Sequence, residues 1–494
     1  MIAWLPASKR KPPEAENGIA ARAARTFRPR TIRRRIQTKS PSKVASMNPN
    51  TPKSLPLKGV KVIELSHLIA GPHCCQMLAD EGATVIKVEP PGGELTRQRE
   101  PTRRCDEGEV TAYYASLNRN KQSIALDLKN PAGLDVFGKL LETADAFVTN
   151  LRVSALARLG LHPETLRERY PRLIIAVISG FGMTNAGEHA DRAGLAMVAE
   201  AMAGATGLTR DHAGNPVWCG FALGDIMAGV SAHAGILLAL RDQERLGEGH
   251  LLDIGLVECM LPTVSVALGR VQVENNHFSD FAGSNNFHGV PYGAFPAADG
   301  AVNIGCNHDQ YWRRLCVAMG RPELGTDERY ASYLDRIKRQ GEVHAITEAF
   351  TRALTRAEII ARLSEADVPV AGILSMEEVV TDHYLRERGA LVEVEDGYGG
   401  TFTLPSNVVW PGQQLPTSGV PRLAQHRDQI LSSELGMTAA EIEQIEQQGA
   451  FGLPRPGELR PAPVASESQR DAVTTGSAAS DGTSVELERR VAVG

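Results

Sequence analysis

The sequence predicts an α/β protein with a mainly parallel sheet, and three features predict it. Short runs that are apolar throughout recur at strand length, at Val60–Leu65, Ala83–Val88, Ala146–Thr149 and Leu173–Ile178. Segments with helical spacing separate them. Glycines and helix-capping residues fall where each element should stop or start. A strand with no polar face must be covered on both sides, which alternating strands and helices achieve by crossing over a parallel sheet.

The elements follow in order. After Val60–Leu65, the segment Gly71–Asp80 has helical spacing and stops at Gly82, as a C-terminal glycine should. Asn130 and Pro131 make a helix start, a capping side chain followed by proline in the first turn. The helix they open places Leu134, Phe137, Leu140 and Leu141 on one face. A long helix is expected over about Asp225–Arg241, preceded by the small residues of Gly220–Gly224. Residues 285–380 carry their own short strand, AVNIGC, and several amphipathic helices, which reads as a smaller α/β domain. Residues 390–415 return to strand and turn chemistry, and 438–449 form a terminal helix with Thr438 as cap and Gly449 as stop. The chain therefore divides into a basic extension (1–55), the first part of a large domain (56–255), a linker (256–284), the small domain (285–380), a return to the large domain (381–450) and a tail (451–494).

Composition bounds what such a protein can bind. Net charge is −5, yet residues 1–55 hold 13 Lys and Arg against two acids, so the remainder stands at −16. A body that acidic does not attract nucleic acid through its bulk field. An anionic ligand needs a few local cations instead. The two ends are rich in Arg, Pro, Ala and Ser or in Pro, Ser, Ala and Gly, and read as disordered. The basic start is either an organelle transit peptide or an extension ahead of a second start at Met47. The longest apolar runs are short and broken by Gly, Asp or His, so no membrane span is expected. Seven cysteines, Cys74, Cys75, Cys105, Cys219, Cys259, Cys306 and Cys316, show neither CxxC nor zinc spacing. That points to reduced thiols and a cytoplasmic location, mitochondrial if residues 1–55 are a transit peptide.

Several chemistries lack their motif. There is no GxxxxGK[ST], no HExxH and no GxSxG elbow, and Gly180 and Gly182 do not complete GxGxxG. What remains is a carboxylate in a special place. In CGFALGDIMAG, Asp225 follows a glycine where the long helix begins. Free amides and the positive end of the helix dipole favour an ionised carboxylate there, and an ionised, desolvated carboxylate is a competent nucleophile. Gly220, Ala222 and Gly224 would let a ligand approach the backbone. Asp is also among the commonest helix caps, so spacing alone leaves both roles open.

Seven segments in order resemble the class III coenzyme A transferases, the group that includes L-carnitine dehydratase-type, bile-acid-inducible and formyl-CoA transferase-like proteins. They are PLKGVKVIELSHLIAGPHCCQMLADEGATVIKVEPPGG, NRNKQSIALDLKNPAG, VTNLRVSALARLGL, LIIAVISGFG, GFALGDIMAG, LALRDQERLGEGHLLDIGLVECM and ADVPVAGILSMEEVVTDHYLRERG, and they span about 56–450. The resemblance implies a Rossmann-like large domain, a smaller α/β domain and an interlocked homodimer. It places Asp225 on the catalytic aspartate. It implies a CoA pocket made of His67, Leu68, Ile69 and Ala70 after the first strand, Leu126 and Lys129 in the LDLK turn, and Asn150, Leu151 and Arg158. Lys129 and Arg158 then serve as phosphate partners.

Departures from the family pattern are informative. Ile69 stands where formyl-CoA transferases carry glutamine, so oxalate and formate handling is not implied. The glycine-rich loop is reduced to NNFHGVPYGAF with Gly289 and Gly293, which implies a lid of different shape. Ala196 replaces an acidic residue common among relatives; Glu200, one helical turn on, either supplies a carboxylate instead or is a solvent-facing helix residue, the second reading being favoured; and Ala424 replaces a usual glycine.

The implied reaction moves CoA from an acyl-CoA to a carboxylic acid through an aspartyl anhydride and an aspartyl-CoA thioester, with backbone amides stabilising the oxyanions. It needs no metal and no cofactor beyond the CoA thioesters themselves. The alternative is an acyl-CoA racemase of the same superfamily, which needs a second base; in those relatives a His-Asp pair falls where Leu195–Ala196 stand. A non-catalytic CoA-binding protein is a third reading.

Overall fold

Six parallel strands form the central sheet of the computed structural model, which describes residues 55–106, 108–211, 213–273, 289–409 and 418–452. The strands are β1 (Lys61–Leu65), β2 (Thr84–Glu89), β3 (Gln122–Ala125), β4 (Ala146–Thr149), β5 (Ile174–Ser179) and β6 (Leu251–Gly255), in the spatial order β3-β2-β1-β4-β5-β6. Every neighbouring pair is parallel. In this order the winding direction changes between β1 and β4, which leaves a crevice at the carboxyl ends of the strands, where open α/β sheets bind ligands.

Each face of the sheet has its own core. Ile63, Ile86, Ile124, Phe147 and Ile175 pack against Phe137, Leu140 and Leu141 of the helix Pro131–Glu142. The Asn130 side chain caps that helix by accepting from the amide of Ala132. Leu134 is only partly buried at the edge of this core, and Val136 takes an inner place. On the other face, Val62, Val85, Val148 and Ile178 pack against Cys74, Cys75 and Leu78 of the helix Ala70–Asp80 and against Ala228, Ala232 and Ile236 of the long helix Leu223–Leu246. The long helix lies on β5 and β6 and crosses the start of the 70–80 helix at Gly229. A Cβ at Gly229 would stand 2.9 Å from the Ala70 carbonyl oxygen, so glycine permits the crossing.

Residues 289–372 build a separate three-stranded antiparallel sheet, Val370–Gly372, Gly300–Gly305 and Tyr292–Ala297 in that order. Its core holds Phe295, Trp312, Leu315 and Leu363. Gly289, expected in a lid, packs instead on backbone: a Cβ there would lie 2.6 Å from the Cys306 carbonyl oxygen. Residues 285–288 of the expected lid lie outside the described residues, as do nearly all of the two extensions. Residues 418–452 pack on the β3 edge, where the His426 imidazole accepts from the amide of Ser123, and the terminal helix Ala439–Gln447 adds Ile445 to the first core. Thr438 caps that helix in a reciprocal capping box with Glu441.

Two expectations need correction. The stretch from Leu256 to Val273, read as part of a linker, is helical. Leu223–Leu246 and Leu256–Val273 are also long and apolar enough to cross a membrane by length and composition, with mean hydropathy 1.6 and 1.3. Scanning for unbroken apolar runs missed them because small residues and single polar groups interrupt both. The first is a core helix of the sheet on one side.

Candidate active site

A cleft of about 310 Å³ opens over the carboxyl ends of β1 to β4. It is lined by Leu65, Ser66 and His67 after β1, Val88 to Pro91 with Gly93 to Leu95 after β2, Leu126 to Lys129 after β3, and Leu151 and Leu159 after β4. Of the residues expected to hold CoA, it thus gathers His67, Leu126, Lys129 and Leu151. Lys129 is exposed at its rim, and Arg158 is exposed beside Leu159; neither has an ion-pair partner among the described residues.

The other expected residues shape the turn between β1 and the 70–80 helix. Asn150 clamps it: its Oδ1 accepts from the His67 amide at 3.0 Å and its Nδ2 donates to the His67 carbonyl at 2.7 Å. Leu68 is forced into the left-handed region, with φ 63°. Ile69 precedes the helix, and the amide of His73 donates to its carbonyl. Ala70 is buried at the crossing with the long helix. Burial also pushes the His67 imidazole below its usual range.

Beneath this turn lies a buried ionic cluster that pattern reading passed over. Glu64 on β1 meets Lys87 of β2 at 2.7 Å and Lys121 at 2.8 Å, with all three side chains out of contact with solvent. Lys87 also donates to the Ser66 carbonyl, and Lys121 to the Pro72 carbonyl, so the two ammonium groups hold both ends of the turn. Burial alone would push the Glu64 carboxyl up, but Lys121 and Lys87 bring it down to about 2. The signal was a charge inside otherwise apolar strands, VKVIEL and ATVIKV, which demands a partner.

Asp225 is the third residue of the long helix, not its cap: the helix begins at Leu223, and the residue before it, Ala222, has no side chain that can cap. The missing cap comes from another helix. Glu200, in Ala196–Met202, accepts from the Gly224 amide at 2.9 Å through one oxygen and from Trp218 Nε1 at 2.6 Å through the other. Glu200 is 2% exposed, so of its two readings the favoured one, a solvent-facing residue, is wrong. The lone acid in GLAMVAEAMAG stands on a short helix packed against the long one, and its face could not be read from the helix alone. The contact is close because Gly224 has no side chain: a Cβ there would lie 3.1 Å from the Ala196 carbonyl oxygen.

Burial and then the Glu200 carboxylate push the Asp225 carboxyl up to about 6. Tyr113 stands close enough to feel both Asp225 and Glu94, and burial first, then these carboxylates, raise its phenol. Of these two carboxylates, Glu94 lines the cleft. Asp225 is not among the residues that line the cleft; the chain offers a half-buried carboxylate of raised basicity and, separately, a largely apolar cleft with two cations at or near its rim that have no ion-pair partner among the described residues. That suits covalent attack on an activated acyl group carried by an anionic ligand.

Comparison with known proteins places the chain in a family. Residues 57–427 match the family described as CoA-transferase family III. The chain is 35% identical over 396 residues to a succinyl-CoA–D-citramalate CoA-transferase of Chloroflexus aurantiacus, an alignment covering 79% of this chain and 97% of that one. It is 34% identical over 412 residues to a succinate–glutarate CoA-transferase of Agrobacterium fabrum, covering 79% and 97%. Among solved structures, it resembles a CAIB/BAIF family protein from Brucella suis with TM-score 0.69 and 29% identity, covering 78% of this chain and all of the other.

Proposed function

Since the chain belongs to CoA-transferase family III, we propose that it moves CoA from an acyl-CoA to a carboxylic acid with Asp225 as the nucleophile. The observation that carries this reading is Asp225 itself: a half-buried carboxylate, raised to about 6 by burial and by Glu200, with no cation among the described residues acting on it. An Asp225 oxygen attacks the thioester carbonyl, the C–S bond breaks, and CoA leaves as thiolate while an acyl-aspartyl anhydride remains. The thiolate then attacks the aspartyl carbon of the anhydride and expels the donor acid as carboxylate. The resulting aspartyl-CoA thioester is attacked by the acceptor carboxylate, and the thiolate released in that step takes the acceptor's acyl group, which restores Asp225.

The cleft over β1 to β4 is assigned to CoA, with His67, Leu126 and Leu151 along its wall and Lys129 and Arg158 for its phosphates. Leu68, Ile69, Ala70 and Asn150 set the shape of the turn that receives the thioester. The relatives' names make succinyl-CoA and short dicarboxylic acids the first substrates to try. A second copy of the chain is proposed to cover the apolar surface between Leu195 and Val273. Only 39% and 28% of the apolar windows in its two long helices are buried, which leaves side chains such as Leu238 and Val266 in water. The racemase alternative lacks support, because Leu195 is apolar and Ala196 is buried against Gly224 where its second base should stand.

The test is a mass-spectrometric screen of purified protein with succinyl-CoA, acetyl-CoA and a panel of mono- and dicarboxylates, followed by peptide mapping of the trapped adduct. New acyl-CoA products and a CoA mass on Asp225 are expected. Deuterium entering the α-carbon with no change of acyl partner would mean racemisation instead.

A further inference from the structure

We propose that Glu200 is a positioning residue that drives Asp225 toward its acylated, uncharged state. The inference rests on Asp225 being the nucleophile. Both Glu200 oxygens accept N–H donors, from Gly224 and from Trp218, which is the bonding pattern of an ionised carboxylate. The Glu200 carboxylate is therefore held buried against the turn that carries Asp225. No lysine or arginine intervenes among the groups acting on Asp225.

The consequence follows from charge balance. Converting the free aspartate to its CoA thioester removes one negative charge from the site and sends it away with the departing donor carboxylate. Repulsion from Glu200 is felt by the free aspartate and not by the thioester, so Glu200 shifts the equilibrium toward the covalent enzyme. It does this without touching substrate. The same two bonds fix the helix start on which Asp225 stands, so charge and geometry are set by one side chain.

Among the described residues, the titratable groups that interact with Asp225 are Glu200 from the helix Ala196–Met202 and Tyr113 from the helix Ala112–Asn118. His73, where the 70–80 helix meets Gly229, answers to Lys121, Arg119 and His233 instead. The Cys219 thiol lies against Glu200. A shift of the acid limb on changing Glu200 is therefore assignable to the carboxylate pair.

The experiment compares wild type with Glu200→Gln, which keeps the shape and one acceptor oxygen. Each is mixed with succinyl-CoA at fixed free succinate, the fraction carrying CoA is read by intact mass, and the adduct is mapped. The pH profile of kcat/KM is measured alongside. In Glu200→Gln the covalent fraction should fall at least about threefold and the acid limb should move to lower pH. A folded Glu200→Gln with a wild-type covalent fraction and an unmoved limb overturns the inference. Should that variant fail to fold, Glu200→Asp decides: it keeps the charge but draws it back along its helix, so the limb should move part of the way, and an unmoved limb overturns the inference equally. An adduct mapped in wild type to a residue other than Asp225 would overturn the nucleophile assignment instead, so the two failures are distinct.

Discussion

Two carboxylates of this protein, the buried Glu64 and the half-buried Asp225, have been treated in opposite ways. Burial penalises the charge of both. Glu64 lies between two ammonium groups, at 2.7 and 2.8 Å, and is brought down to about 2. Asp225 has a second carboxylate for a neighbour and rises to about 6. One carboxylate is compensated on every side and holds a turn in place; the other is kept dissatisfied. The difference teaches where chemistry is located. A buried acid matched by cations has nothing to gain from reacting, whereas one held beside a like charge is relieved by forming a neutral bond.

The strongest way to break this comparison is to remove the uncompensated member. Asp225→Ala should reduce CoA transfer by about 10⁴-fold or more while the far-UV circular dichroism spectrum stays that of wild type. Substantial residual turnover would place the covalent step elsewhere. Removing the compensated member should do the reverse, acting first on stability. Glu64→Gln leaves Lys87 and Lys121 buried together without their shared anion, and urea titration should show a loss of about 3–5 kcal/mol. A loss under 1 kcal/mol would mean that the cluster is not the clamp of the Ser66–Pro72 turn.

A third test sharpens the contrast through pH. The folded-state value of Asp225 is above its ordinary one, so the native protein retains a proton that the unfolded chain has released between about pH 4 and 6. Stability contributed at this site therefore falls as pH rises through that window and stays low above it. Asp225→Asn removes the charge and should raise stability by about 2 kcal/mol at pH 7.5, with no gain at pH 3.5. Glu64 has the opposite sign: its folded-state value is lowered, so its contribution is complete above its ordinary value of 4.5 and is lost as pH falls toward about 2. Thermal melts of Asp225→Asn against wild type at the two pH values decide it, and a gain that persists at pH 3.5 would detach the effect from ionisation.

Much of this site was legible in the sequence, and the limits of legibility have physical causes. Strands β1, β2, β4 and β5 were visible because they are mainly apolar, and Asp225 because a glycine-rich turn leads into a long helix. Strands β3 and β6 were missed: QSIA opens with polar residues at the sheet edge, and LLDIG is interrupted by Asp253, whose side chain accepts from the amides of Met183 and Thr184. Glu200 was misread because its helix has only seven residues and its burial depends on a partner 24 positions along the chain. Local periodicity reports which residues share a face; it does not report which element covers that face.

The smallest test lies at the outer margin of the compensated region. Ala424 stands in the left-handed region at φ 54°, a conformation that favours glycine. It is held there because its amide donates to Ser123 Oγ, which itself donates to the buried carboxylate of Glu89. An alanine side chain in this conformation costs roughly 1–2 kcal/mol, and glycine gives part of the relief back through the greater freedom of the unfolded chain. Ala424→Gly should therefore raise stability by about 0.5–1 kcal/mol and leave CoA transfer unchanged, measured by urea titration and steady-state assay. Strain here serves a tether and not the reaction, so relieving it should cost no activity, in contrast to relieving the repulsion at Asp225; a fall in turnover would mean that the backbone at Ala424 sets the position of Glu89 in the cleft wall through Ser123.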